Sequence, residues 1–323
     1  MKLLKKILLT SLCSAMIVNT GMISFAGVIG KSSSSYPKVV MGEPATKAND
    51  GTYLNGAEIH ILNSATKSQM MSYVIKTKNG KLIVVDGGLP QDEQHLVETI
   101  KSYGTEVSAW ILSHPHSDHG GAFTKLAENG FEGIKIDNFY YNIREQAWYD
   151  KFEKYRADMV NTIRNSIAKL PAGVSHITSK GEVYYVDGVS IHILNDPYWI
   201  ESNSINNSSI AFRLDFDNGT RVLFLGDMGS EAGEHLKADV PASELKADIV
   251  QMAHHGQYGV NKDVYEIIAP KVAMWNTPEW LWDNDGGSGY NTGNYKTLEV
   301  RSWMDEIGAK TNYVIKDGDQ TIK

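Results

Sequence analysis

His114-Pro115-His116-Ser117-Asp118-His119 follows the run Val107-Ser108-Ala109-Trp110-Ile111-Leu112-Ser113 and runs straight into Gly120-Gly121. The apolar-rich run over 107–112 reads as a strand, and the residues after 120 read as a helix over 120–129. At the end of a strand, residues two apart point the same way, so His114 and His116 can share one cation. Asp118 and His119 then fall in the turn that opens the helix, where they can face a second. Gly120 and Gly121 let another piece of backbone approach closely.

Working outward, three more strands end in polar residues. Asp86 closes Val84-Val85-Asp86-Gly87-Gly88, Asp227 closes Phe224-Leu225-Gly226-Asp227, and His254-His255-Gly256 follows the strand over 248–252. A carboxylate placed there reaches the rim of a sheet without being buried unpaired. A lone aspartate after a strand is ordinarily a turn former, but these segments together supply neutral imidazoles and a carboxylate able to bridge two cations. That is the donor chemistry of a two-metal hydrolase.

The order of these segments resembles the metallo-β-lactamase superfamily across roughly 55–323. The resemblance implies an α/β (αββα) sandwich, two mixed β-sheets face to face with helices on the outer faces. It places His114 and His116 on a first metal, Asp118, His119 and His255 on a second, and Asp227 between them. His255 is preferred to His254 as the ligand because Gly256 follows it. Asp86 would orient a ligand histidine without touching metal. Asp118, His254 and Asp86 are the candidate catalytic residues. Two divalent ions are implied, Zn2+ by default, with Mn2+ or iron also suited to these donors.

The sequence departs from the family where another histidine is expected before the bridging aspartate. Asn206-Asn207-Ser208-Ser209-Ile210 stands there instead, leaving the first site ligand-poor and Asn207 as a candidate substrate contact. His176, in a short extended segment, and His192, inside an alternating strand, read as structural. With the double histidine, the Asn-x-Ser stretch is similar to two subgroups: the hydrolase domain of competence DNA-uptake proteins and secreted phosphorylcholine esterases acting on teichoic acid.

The rest of the 323 residues reads as one large domain. With 42% hydrophobic and 21% charged residues, disorder and collagen-like repeats are excluded. Strands are expected over 57–62, 134–141, 182–186 and 189–194, with hairpins over 71–86, turned at Asn79-Gly80, and over 210–225. Helices are expected over 91–103, 231–238 and 295–307. Apolar residues at Trp148, Phe152, Tyr155, Met159, Ile163, Ile167 and Leu170 mark a single amphipathic helix over 144–170. Lys2, Lys5 and Lys6 precede a short apolar stretch ending in Ser24-Phe25-Ala26, the pattern of a signal peptide over 1–26 and hence of a secreted protein. A linker over 27–54, with four consecutive serines, would follow, and no membrane span would remain after cleavage.

The one cysteine, Cys13, lies in that signal, so disulfides, cysteine nucleophiles and thiolate ligands are absent from the expected mature chain. Past residue 26 the chain has 28 basic against 38 acidic residues, a balance of −10. Without a basic run, nucleic acid is a disfavoured partner. Trp275, Trp280, Trp282 and Tyr290 follow a strand and can wall a pocket, either as loop packing or as a cage for a quaternary ammonium or a sugar face. The expected function is a secreted hydrolase that uses a metal-bound hydroxide on a small or cell-wall phosphodiester, such as a phosphorylcholine esterase. A competence-like nuclease, a lactonase or β-lactamase, and a non-catalytic metal-binding protein of the same fold are the alternatives.

Overall fold

A computed structural model describes residues 53–323; the expected signal over 1–26 and nearly all of the expected linker lie outside the described residues. Fifteen strands are described: β1 (Glu58–Ile61), β2 (Ser72–Lys76), β3 (Leu82–Asp86), β4 (Glu106–Ile111), β5 (Lys135–Ile136), β6 (Phe139–Tyr141), β7 (Ser175–Ile177), β8 (Val183–Val186), β9 (Val189–Ile193), β10 (Phe212–Phe216), β11 (Arg221–Phe224), β12 (Ile249–Gln251), β13 (Val272–Trp275), β14 (Thr311–Val314) and β15 (Gln320–Ile322). They form two mixed sheets. One runs β15-β1-β2-β3-β4-β6-β7 with β5 also on β4, and the other runs β14-β13-β12-β11-β10-β9-β8.

Both expected hairpins form. Val74 lies opposite Val84 in the antiparallel β2/β3 pair, and Leu214 opposite Val222 in β10/β11. β3 then pairs in parallel with β4, and β11 with β12. Strands this apolar need cover on both faces. Ile83 and Val85 of β3 point inward to meet Phe212, Leu214 and Phe224 of the second sheet, while Leu82 and Val84 point outward.

The outer face of the first sheet is covered by α1 (Glu93–Tyr103), α2 (Ser117–Glu128) and α4 (Lys154–Ile167), through Leu96, Ile100, Phe123, Leu126 and Ile163. α5 (Ser230–Asp239), α6 (Ala242–Leu245), α7 (Lys262–Ile268) and α9 (Thr297–Ile307) cover the second through Leu236, Leu245, Val264, Tyr265, Val300 and Met304. This is the αββα sandwich. α3 (Gln146–Phe152) and the short α8 (Glu279–Trp282) complete the α-helices among the described residues.

Several expectations are corrected. The single helix over 144–170 is two, α3 and α4, separated at Glu153, whose backbone (φ −144°, ψ 47°) is not helical. The cause is long-range: the buried Glu153 carboxylate accepts the Ile205 N–H at 2.9 Å and the Ser204 hydroxyl at 3.2 Å. Apolar periodicity continues across such a break without recording it. The strand over 134–141 likewise splits into β5 and β6, and α2 begins at Ser117, three residues before the expected start.

Candidate metal centre

The polar strand ends converge where the two sheets meet. β4 leads into the His114 to His119 segment, and His116 caps α2, its carbonyl accepting the N–H of Gly120 at 2.8 Å. α2 can lie against the turn at Pro90 only because Gly121 has no side chain; a Cβ there would stand 2.5 Å from Pro90 Cδ. From the second sheet, Gly226-Asp227 follows β11 and His254-His255 follows β12. The two strand ends are tied by the buried Gln251, whose Oε1 accepts the Leu225 N–H while its Nε2 donates to the Gly226 carbonyl.

Two groups of donors result. Asp118, His119, Asp227 and His255 form one; His114, His116 and Asp227 form the other. Asp227 Oδ2 belongs to both, 3.3 Å from His119 Nε2, 3.3 Å from His255 Nε2 and 3.9 Å from His114 Nε2. His255 Nε2 is also 3.2 Å from Asp118 Oδ2, and His114 Nε2 faces His116 Nδ1 at 3.1 Å. His119 Nε2, His255 Nε2 and Asp227 Oδ1 are buried without a hydrogen-bond partner. Cations would satisfy these atoms, so the residues fit the two metal ions the sequence implies.

Charge supports the fit. Burial holds His114 well below the ordinary imidazole range, with the nearby His119 and His116 adding to it, so it stays in the neutral form that ligates. Burial opposes charge on His119 and His255 as well, but Asp227 with Asp86 raises His119 well above its ordinary value, and Asp227 with Asp118 raises His255 to about 9. Asp118 and Asp227 are both lowered despite burial, chiefly by those histidines. Cations would take the place of the protons.

The next layer of contacts fixes the rings. Asp86, fully buried, accepts from His119 Nδ1 at 2.7 Å, from the Ser113 N–H at 2.7 Å and from the Ser113 hydroxyl at 2.8 Å. His255 Nδ1 donates to the Asn276 carbonyl at 3.0 Å, which leaves Nε2 as the donor atom toward Asp227. Gly256, at φ +77°, passes so close to Trp275 that a Cβ would lie 2.5 Å from its ring. His254 lies outside both donor groups, and its Nε2 meets Asn206 Nδ2 at 3.2 Å.

A cavity of about 370 Å³ opens over these groups, and Asp118, Asp227, His116, His254, Asn206, Arg156 and Trp280 are among its lining residues. The expected substrate contacts need correction. Asn207 is buried beside the cavity but committed to structure: its Oδ1 accepts the Gly229 N–H and its Nδ2 donates to the Ser202 carbonyl and Glu231. Its neighbour Asn206 is the one that faces the cavity.

The four expected aromatics are not gathered either. Trp275 is fully buried in the outer core, edge-on to Trp282, and donates Nε1–H to Asn312; Trp282 lies under Arg301; Tyr290 is 67% exposed. Only Trp280 of the four lines the cavity. Sequence reasoning missed Gln69, Gln257 and Arg156. Gln257 Nε2 donates to Gln69 Oε1, and Gln69 Nε2 lies 3.4 Å from Asp118 Oδ2. These come from separate loops and a helix, with no local motif to announce them.

The profile of the metallo-β-lactamase superfamily matches residues 66–195. "Probable metallo-hydrolase YflN" of Bacillus subtilis is 27% identical over 165 residues, 49% of this chain and 59% of that protein, so the chain spans less than two thirds of this relative. Among solved structures, the metallo-β-lactamase fold protein YhfI of Bacillus subtilis superposes with a TM-score of 0.51 at 12% identity, covering 83% of this chain and 99% of that one. The E377D mutant of the CmlA β-hydroxylase gives 0.50 at 11% identity over 87% of this chain and 55% of its own. At such identities these likenesses show the fold alone. Residues 66–195 carry the metallo-β-lactamase superfamily domain.

Proposed function

We propose that this chain is a metal-dependent hydrolase of small phosphodiesters. The observation that carries the reading is the pair of donor groups sharing Asp227 at the floor of the cavity. Divalent ions held there, Zn2+ by default, would supply a nucleophilic water near neutral pH and stabilise charge on the attacked centre. Asp86 and the Asn276 carbonyl keep His119 and His255 turned to the floor. His254 and Asn206 stand on the wall, where they can hydrogen-bond substrate oxygens. Among the described residues Arg156 is the only lysine or arginine lining the cavity, which suits a small anion better than the long basic groove a nuclease needs. With three of the four aromatics turned elsewhere, a choline cage loses its support while the phosphodiester reading keeps its own. The lysine-led N-terminus supports export, and a cell-wall phosphodiester remains within the proposed substrate class.

Metal analysis of purified protein, followed by assay with bis-p-nitrophenyl phosphate, p-nitrophenyl phosphorylcholine and nitrocefin, tests the proposal. Bound transition metal and turnover of the first substrate are expected. Turnover of nitrocefin alone would overturn the phosphodiester reading, and failure to bind metal under any reconstitution condition would overturn the hydrolase reading.

A further inference from the structure

The break between α3 and α4 places two charged side chains beside the first donor group. Glu153, at the break, is buried, and its Oε1 lies 3.8 Å from His116 Nε2. Arg156, in the first turn of α4, has a side chain that is 45% exposed at the cavity; its Nη1 lies 3.5 Å from Glu153 Oε1 and 3.3 Å from His116 Nε2. His116 turns Nδ1 toward His114 Nε2, so Nδ1 is the atom aimed at the first donor group.

That orientation decides what Arg156 can do. An imidazole that ligates through Nδ1 carries its proton on Nε2. Nε2–H is then a donor, with Glu153 Oε1 as its nearest carboxylate oxygen, and it cannot accept from Arg156. Glu153 is further divided: its Oε2 already takes the Ile205 N–H and the Ser204 hydroxyl. One carboxylate oxygen shared with His116 satisfies only a small part of a guanidinium that has five N–H donors. The guanidinium packs over the Tyr155 ring at 5.1 Å and lines a cavity that, among the described residues, has no other lysine or arginine.

We infer that Arg156 is the specificity-determining residue for anionic substrates, its guanidinium binding a non-bridging phosphoryl oxygen at the rim. A planar fork of donors matches a phosphoryl group and has no such match on a neutral ester. The inference rests on the proposed function only for the identity of the scissile bond. Binding of the anion can be measured without turnover.

The test uses zinc-reconstituted protein, calorimetric titration with inorganic phosphate, and kinetics on bis-p-nitrophenyl phosphate and the neutral ester p-nitrophenyl acetate. Arg156→Ala is expected to weaken phosphate binding about ten-fold, in line with losing a hydrogen bond to a charged group. It should raise KM for the phosphodiester by a similar factor with a smaller change in kcat, and affect the neutral ester far less. Arg156→Lys should recover part of the loss.

Unchanged phosphate affinity in Arg156→Ala, or no phosphate binding by the parent protein, overturns the inference even if phosphodiesters are hydrolysed. So does loss of zinc together with phosphate, which would show that Arg156 serves only to hold His116. Arg156-dependent phosphate binding without phosphodiester turnover supports the inference and overturns the proposed reaction.

Discussion

The floor of the cavity is made of donors in the turns that follow strands, with Asp118 and His119 in the first turn of α2, whereas its rim is made of more exposed side chains on α4, α8 and a loop. On the floor, Asp227 and His255 follow β11 and β12, and both are almost fully buried. Asp86 is held by three hydrogen bonds, one of them from backbone. On the rim, Arg156 projects from the first turn of α4, Trp280 from α8, and Gln69 from the loop before β2, and each keeps some exposure. A buried side chain held by fixed hydrogen-bond partners has one position; a partly exposed side chain at the cavity edge has room to adjust. The floor therefore sets what chemistry the site can support, and the rim sets which molecule reaches it.

The largest effect should come from the residue common to both donor groups. Asp227→Ala is expected to abolish turnover and to cost more than the roughly 10–100-fold that losing an outer partner of a ligand costs, while circular dichroism shows the fold retained. Activity within a few-fold of the parent would break the claim that the floor sets the chemistry. Asp86→Asn tests the layer beneath. It keeps the shape but removes the charge that faces His119 Nδ1, and metal affinity is expected to fall about 10–100-fold. Equilibrium dialysis against a competing chelator measures it, and an unchanged affinity would show that His119 needs no such support.

The same contrast explains what could be read from the sequence. Donor residues at strand ends lie next to apolar runs, and their spacing within 114–119 is local, so the side chains that gather into two donor groups, both hairpins and the two-sheet architecture were legible. Arg156 was not, because its place depends on a helix break made by a bond from Glu153 to the backbone of Ile205, fifty-two residues away. The heptapeptide around Glu153 carries no proline or glycine to mark that break. Trp275 and Trp280 are five residues apart and both aromatic, yet one ends a buried strand and the other faces the cavity. Composition cannot separate them; only the packing of β13 against its neighbours does. The shift from Asn207 to Asn206 has the same origin, since one turn of 3-10 helix over 206–208 points adjacent side chains in different directions.

A rim that only shapes access predicts a mild and unselective outcome for Trp280→Ala. With a single ring at the cavity, KM for bis-p-nitrophenyl phosphate and for p-nitrophenyl phosphorylcholine should both rise about two- to five-fold, the scale of one exposed aromatic contact. A loss of ten-fold or more confined to the choline ester would restore a cation-binding role for this wall.

The smallest effect comes from a pair that matches the floor in chemistry and differs in burial. His95 on α1 lies 2.9 Å from Asp319, just before β15, as His119 lies 2.7 Å from Asp86. The hydrogen bond with Asp319 is the main cause that raises the His95 pKa above its ordinary 6.5. Burial opposes ionisation of Asp319, but the bond with His95 outweighs it and lowers that carboxyl below its ordinary 3.8. A raised histidine adds stability that is complete below its unfolded value and is lost as pH rises through the folded one; a lowered carboxyl adds stability above its unfolded value and loses it in acid. The pair therefore contributes most between those two ordinary values. Both side chains are a third to a half exposed, so its worth is about 0.5 kcal/mol. His95→Gln should lower the melting temperature by about 1–2 °C at pH 5, with the difference disappearing at pH 9. Because the same two residue types at nearly the same distance would then be worth so little at the edge, a ten-fold or greater loss in Asp86→Asn would be traced to enclosure by the floor, and a pH-independent His95→Gln effect would break that attribution.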